Sequence, residues 1–190
     1  MSTNRFDIYL IGVGGQGIGL LAESLARAID YAGFPVRGVD THGLAQRGGT
    51  VESFLRLGAG VHSPLILQHE ADMVVALERH EALRGASRFL RPGGTLVYYD
   101  AVWQPLSVRL RREPEATADQ VQALCAGLPA EVIRVFDESL ADARMQNVAL
   151  MRTLMRLQLI PGVKPQHYES ALADLLPGRV LEDNLALLRG

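Results

Sequence analysis

Ile8-Tyr9-Leu10-Ile11-Gly12-Val13-Gly14-Gly15-Gln16-Gly17, followed by Ile18-Gly19-Leu20-Leu21, is the stretch that decides the architecture. Ile8 to Ile11 reads as a buried strand, and the glycine cluster after it as a turn. From Ile18 the apolar residues Ile18, Leu21, Leu25, Ala28, Ile29 and Ala32 repeat at helical spacing. Gly33, with Pro35 behind it, closes that helix. Gly12, Gly14 and Gly17 match G-x-G-x-x-G, in which missing side chains let backbone amides and a helix N-terminus approach an anion, usually a pyrophosphate. Asp40, at the end of the next short strand (Val36 to Asp40), stands where a ribose-binding carboxylate is expected.

Against a dinucleotide fold, the nine residues between Asp40 and Thr50 fall short of the dozen or so that a parallel crossover needs. The second strand and the third, Thr50 to Leu57, are therefore expected to run antiparallel or to lie in different sheets. Two readings of the glycine turn stay open: a stand-alone NAD(P)- or FAD-binding oxidoreductase, and a structural or partner-facing loop. Gln16 is singled out because a flexible amide in a glycine turn suits polar recognition.

The third strand alternates, with Val51, Ser53, Leu55 and Leu57 on one face and Thr50, Glu52, Phe54 and Arg56 on the other. Ala71 to Leu77 is almost continuously apolar, the pattern of a central strand, and Glu78 to Phe89 suits a helix. Pro92-Gly93-Gly94 turns into a strand over Thr95 to Tyr99, and Pro105 to Arg112 alternates like a charged edge strand. Thr117 with Gln120 predicts a capping box. Val132 to Phe136 is a last strand, and Asp137 is expected to N-cap a helix running towards Ile160 with Val148, Met151 and Met155 inward. Two short helices close the chain. The fold class expected is α/β: one three-layer Rossmann-like domain over residues 1–190, with a mixed sheet and C-terminal helices.

With 190 residues, 48% of them hydrophobic, the chain is long enough for one well-packed core. Nineteen Lys and Arg stand against 21 Asp and Glu, a formal charge of −2, which gives no electrostatic reason to seek a nucleic acid or an anionic membrane. No signal-peptide core or membrane span interrupts the sequence, so a cytoplasmic protein is expected. The one cysteine, Cys125, has no partner for a disulfide and falls short of the four thiolates of an iron–sulfur cluster. It reads as a small buried hydrophobe. The five histidines form no metal-ligand spacing, and neither a P-loop nor a G-x-S-x-G elbow occurs.

A second donor-rich segment, His42-Gly43-Leu44-Ala45-Gln46-Arg47-Gly48-Gly49, carries groups suited to a carboxylate, phosphate or carbonyl on a neighbouring surface; a solvated loop is the alternative. Ser63-Pro64-Leu65-Ile66 reads as a turn opening a buried segment, with Ser63 a lesser site candidate. Glu78, His80 and Glu81 read as the polar start of a helix.

Both glycine-rich segments in this order, with Ser63-Pro64-Leu65-Ile66, Glu78, Glu81-Ala82-Leu83-Arg84 and Asn147, resemble the gamma-type module of the 2-oxoacid:ferredoxin oxidoreductases, above all its indolepyruvate branch. The resemblance implies an accessory module with no cofactor of its own. Thiamine diphosphate, Mg and the iron–sulfur clusters would reside on a large partner subunit, with coenzyme A as co-substrate and ferredoxin or another acceptor taking the electrons. It further implies that Gly14, Gly15, Gln16 and Gly17, with His42, Gln46, Arg47, Gly48 and Gly49, face the partner's active site. A free nicotinamide or flavin enzyme and a non-catalytic scaffold are the competing classes.

Overall fold

The computed structural model describes residues 5–41, 49–103, 108, 110–112, 114–140 and 142–190. Its strands are β1 (Phe6–Val13), β2 (Val36–Thr41), β3 (Thr50–Leu57), β4 (Ala71–Ala76), β5 (Leu90–Tyr99) and β6 (Glu131–Val135). Its helices are α1 (Ile18–Tyr31), α2 (Arg79–Phe89), α3 (Ala118–Gly127), α4 (Gln146–Arg156), α5 (Pro165–Leu175) and α6 (Gly178–Arg189). The strands form one sheet in the order β2-β3-β1-β4-β5-β6. β1, β4, β5 and β6 are parallel, whereas β3 runs antiparallel to both β1 and β2. The mixed sheet and the antiparallel second and third strands follow from the short connection between them.

Alternation along the strands builds a core on each face of the sheet. Ile8 and Leu10 of β1 point to the side covered by α1, α4, α5 and α6, with Leu55, Val75, Met151 and Tyr168. Tyr9 and Ile11 point the other way, towards α2 and α3. On that side the rings of Tyr9 and Phe89 lie 4.1 Å apart, with Phe54 tilted against both. Cys125 is fully buried in this second core. Burial raises its thiol pKa, so it is a hydrophobe there and not a nucleophile. Val148, Met151 and Met155 line the first core as their spacing indicated. Among the described residues no helix is long and apolar enough to cross a membrane.

The helix ends follow local chemistry. α1 closes where Phe34 N–H reaches the Ile29 carbonyl at 3.2 Å and Gly33 N–H reaches Asp30 at 2.8 Å. Thr117 and Gln120 exchange both hydrogen bonds of a capping box at the start of α3.

Two expectations are corrected. Asp137 does not cap a long helix: its carboxylate accepts from Ser139 N–H at 3.0 Å and from Arg152 at 2.7 Å. A short turn and one 3₁₀ segment (Ala143–Met145) therefore precede α4. The edge strand expected over Pro105 to Arg112 is also absent where the chain is described. Val108 is helical, and Arg111 N–H bonds Val108 O at 2.8 Å with Arg111 in the left-handed region (φ 55°), a turn that cannot enter a ladder. β6 forms the edge instead.

At the amino end of β1, the buried Asp7 carboxylate is held by Arg5 and Arg56, at 2.7 Å and 3.0 Å from their Nε atoms. Asp7→Ala should lower stability by about 3 kcal/mol, because Arg56 is left without its counter-charge, as a urea midpoint would register. Asp137 gives a pH-dependent counterpart. Its bonds to Ser139 and Arg152 lower its pKa from 3.8 to about 2. Its contribution is complete above pH 3.8 and disappears as the pH falls through about 2. Asp137→Asn should cost about 1 kcal/mol at neutral pH, discounted for exposure to water, and its melting temperature should converge on that of the wild type at low pH.

Candidate functional site

At the carboxyl end of β1 the neighbour β4 parts from it, while β3 stays paired as far as Val13. On the β4 side the ladder reaches Leu77 N–H donating to Ile11 O at 3.0 Å. The next rung of a parallel pair would be Val13 N–H to Leu77 O. The carboxamide of Gln16 is inserted there instead: Val13 N–H donates to its Oε1 at 2.7 Å, and its Nε2 donates to Leu77 O at 3.0 Å. Gln16 is fully buried. The expectation that its side chain serves outward recognition is therefore corrected, because both ends of the amide complete the backbone ladder at the point of divergence.

The rest of the turn is shaped by close approach. Gly17 caps α1 in the left-handed region (φ 80°), and a β-carbon there would lie 2.6 Å from Asn147 Nδ2. Asn147 donates from that nitrogen to Gly17 O at 3.2 Å, which ties the turn to the start of α4. Gly15 is exposed with φ 103°. α1 has no side-chain cap and no acidic residue in its first turn. Among the described residues, no side chain complements the positive end of its dipole from within that turn.

Gly49, the last residue of the second glycine-rich segment, meets the first. Gly14 N–H donates to Gly49 O at 2.9 Å, directly before Thr50 pairs with Val13 across β1 and β3. His42, Gln46, Arg47 and Gly48 lie outside the described residues. Ser63 is not part of this assembly. Its carbonyl and that of Leu65 accept from Arg56 Nη1 at 3.0 and 2.8 Å, and Arg56 pairs with Asp7. That places Ser63 at the amino end of β1, roughly 20 Å along the sheet from the glycine turn. Its hydroxyl accepts from Leu65 N–H at 3.3 Å and shapes its own turn.

Beside the glycine junction stand two fully buried carboxyls, Glu78 and Glu81. Glu78 caps α2 by accepting the Glu81 N–H, and burial raises its pKa. Glu81 accepts from Thr50 Oγ1 at 3.1 Å and from Arg84 at 3.0 Å, and Arg84 also donates to Thr50 Oγ1 at 2.6 Å. Burial outweighs Arg84 and lifts the Glu81 pKa to about 7. Reading Glu81 as the polar start of a helix missed this. A signal was present, since Glu81 falls on the same stripe as Ala82, Gly85, Ala86 and Phe89, all buried. Further along the same end, buried Asp100 binds both Arg79 and Arg134, which hold its pKa below the usual range despite burial.

A dinucleotide would find its second contact displaced. β3 lies between β1 and β2, so Asp40 stands two strand spacings from β1, about 9.6 Å, instead of one. Among the described residues no three His, Cys, Asp or Glu side chains gather as a metal site. An iron–sulfur cluster does not fit a chain with one cysteine, buried in the core.

The family model for pyruvate ferredoxin/flavodoxin oxidoreductase matches residues 7–190. Indolepyruvate oxidoreductase subunit IorB of Archaeoglobus fulgidus is 32% identical, over 97% of this chain and 92% of that protein. Pyruvate oxidoreductase subunit PORC of Thermotoga maritima has a similar fold, with TM-score 0.68 at 18% identity over 98% of this chain and 94% of that one. The 2-oxoglutarate:ferredoxin oxidoreductase of Magnetococcus marinus, solved with 2-oxoglutarate, coenzyme A and succinyl-CoA, contains the same fold within 30% of its chain (TM-score 0.66, 18% identity). With the match running from the first strand to the last residue, this chain belongs to the pyruvate ferredoxin/flavodoxin oxidoreductase family.

Proposed function

We propose that this chain is the accessory subunit of a cytoplasmic 2-oxoacid:ferredoxin oxidoreductase of the indolepyruvate type, and that it presents the carboxyl end of its sheet to a large catalytic subunit. The observation that carries this reading is the 2.9 Å bond from Gly14 to Gly49, which sets the residue entering β3 against the glycine turn. Support for the substrate class comes from the IorB relative, which aligns along almost the whole of both chains. A near-neutral charge balance suits a protein partner better than a nucleic acid.

On this reading the partner holds thiamine diphosphate, Mg and the iron–sulfur clusters, which supply carbanion chemistry and electron transfer, while ferredoxin receives the electrons. This chain binds and orients. With the Gln16 N–H spent on Val13 O at 3.1 Å, the amides of Gly15 and Gly17 are the uncharged donors proposed at the positive end of α1, suited to a carboxylate or to a phosphate of coenzyme A. Arg47 adds a full charge and a forked donor set for the same kind of group. His42 and Gln46 contribute polar contacts from the same segment. Covering the site in this way also excludes water from a reactive intermediate.

The reading is tested in the complex reconstituted with its catalytic subunit. Arg47→Ala should lower kcat/KM for the 2-oxoacid or for coenzyme A roughly tenfold or more, while the isolated chain melts as the wild type does. Unchanged kinetics would sink the role of Arg47, and full turnover by the catalytic subunit alone would sink the accessory role. Gln16→Ala should behave in the opposite way, with stability reduced by about 2–3 kcal/mol because two buried backbone groups lose their partner. A denaturation midpoint on the isolated chain would register that loss.

A further inference from the structure

Glu81 is not explained by the capping of its helix. α2 is already capped by Glu78, so the helix does not need a second buried carboxyl three residues later. Burial in fact disfavours the Glu81 charge: its pKa is about 7 against an ordinary 4.5. The folded state therefore binds this proton more tightly than the unfolded chain does. The associated stability is complete below pH 4.5 and is lost as the pH rises through about 7. Ionised Glu81 is a burden on the fold at neutral pH.

Its contacts show what it holds. Glu81 accepts the Thr50 hydroxyl, Arg84 donates to both, and Thr50 is paired with Val13 and follows the Gly49 carbonyl bonded to Gly14. Among the described residues, the charged and titratable groups around it include Glu78 at the N-cap of α2, Arg84 on α2, Glu52 on β3 with its partner Arg88 of α2 at 3.6 Å, and Tyr9 on β1. Arg84 is the cation at contact distance, and its side chain is 41% exposed.

We propose that Glu81 is a positioning residue: through Thr50 it fixes the Gly14–Gly49 junction in the geometry in which that edge meets the catalytic subunit. This rests on the accessory-subunit reading given above. A carboxylate binds Thr50 and Arg84 with its full charge, whereas a neutral side chain offers them only a carbonyl oxygen and weakens both bonds, leaving Arg84 on Thr50 Oγ1. The junction is thus tighter above pH 7 than below it, opposite in sign to the effect of Glu81 on global stability.

The test has two arms, hydrogen exchange at Gly14 N–H in the full chain and steady-state kinetics of the reconstituted complex. In Glu81→Gln and Thr50→Val, protection of Gly14 should fall roughly tenfold. The Glu81→Gln chain should melt no lower than wild type at pH 8. Thr50→Ser, which keeps the hydroxyl, should restore protection. In the complex, KM for coenzyme A should rise roughly tenfold with kcat retained, and the wild-type change of KM between pH 6 and 8 should disappear in Glu81→Gln. If Glu81→Gln fails to fold, Thr50→Val carries the test, since it removes only a hydroxyl on a strand. Wild-type protection of Gly14 in the folded variants overturns the proposal. A loosened junction with unchanged KM and pH profile refutes the partner-facing assignment of this edge, and with it the function given to Glu81.

Discussion

A single side-chain amide holds the point at which this sheet opens. β1 has β3 on one side and β4 on the other, and beyond Ile11 the β4 ladder has no further main-chain rung. Without Gln16, Val13 N–H and Leu77 O would both be buried and unpaired, at a cost of about 1–3 kcal/mol each. With Gln16 between them, the strands separate by the width of a carboxamide and the chain is free to turn into α1. The glycines on either side follow from that insertion. At Gly12 a β-carbon would sit 2.9 Å from the Leu77 side chain, and at Gly17 one would strike Asn147.

The inserted antiparallel strand decides what the opening is used for. In a doubly wound sheet the second strand lies beside the first, and its terminal carboxylate reaches the ligand held by the glycine turn. Here β3 occupies that place, so the segment entering β3, and not Asp40, lies against the turn. The glycine motif is kept while its nucleotide partner is displaced. What stands at the junction is backbone amides, a carbonyl and a threonine, held from behind by Glu81. Such a surface is suited to meeting another molecule's groups.

Much of the fold was legible because it depends on local chemistry. Glycine and proline punctuation marked the ends of β1 and α1, strict alternation marked β3, and Thr117 with Gln120 marked α3. The length of the Asp40 to Thr50 connection excluded a parallel crossover and left an antiparallel pair or separate sheets, of which the fold has the first. Where the reading failed, the cause lay at a distance. Asp137 looked like a cap until Arg152, fifteen residues on, took its carboxylate. Ser63 reads as a lesser site candidate, but its position is set by an arginine bound to Asp7 at the other end of β1. Gln16 was noticed for its amide, yet which way an amide points depends on whether Leu77 leaves a carbonyl open beside it. Glu81 was legible only as a charge on an otherwise apolar helix stripe.

The two ends of β1 are closed by different physics. At the amino end, Asp7 is fully buried and both of its oxygens are taken by arginines, while its backbone N–H donates to Asp72 at 2.7 Å. Opposite charges are matched there, the Ser63 turn is tied to the same arginine, and that end is complete within this chain. At the carboxyl end the corresponding roles fall to a neutral carboxamide and to a carboxyl that ionises near neutral pH. The first turn of α1 there has no acidic side chain to complement its dipole. A matched end is complete in itself, whereas donors that face water at the other end can exchange it for the acceptors of another molecule. The proposed accessory role draws on that asymmetry, since the first turn of α1 has no acidic side chain of its own.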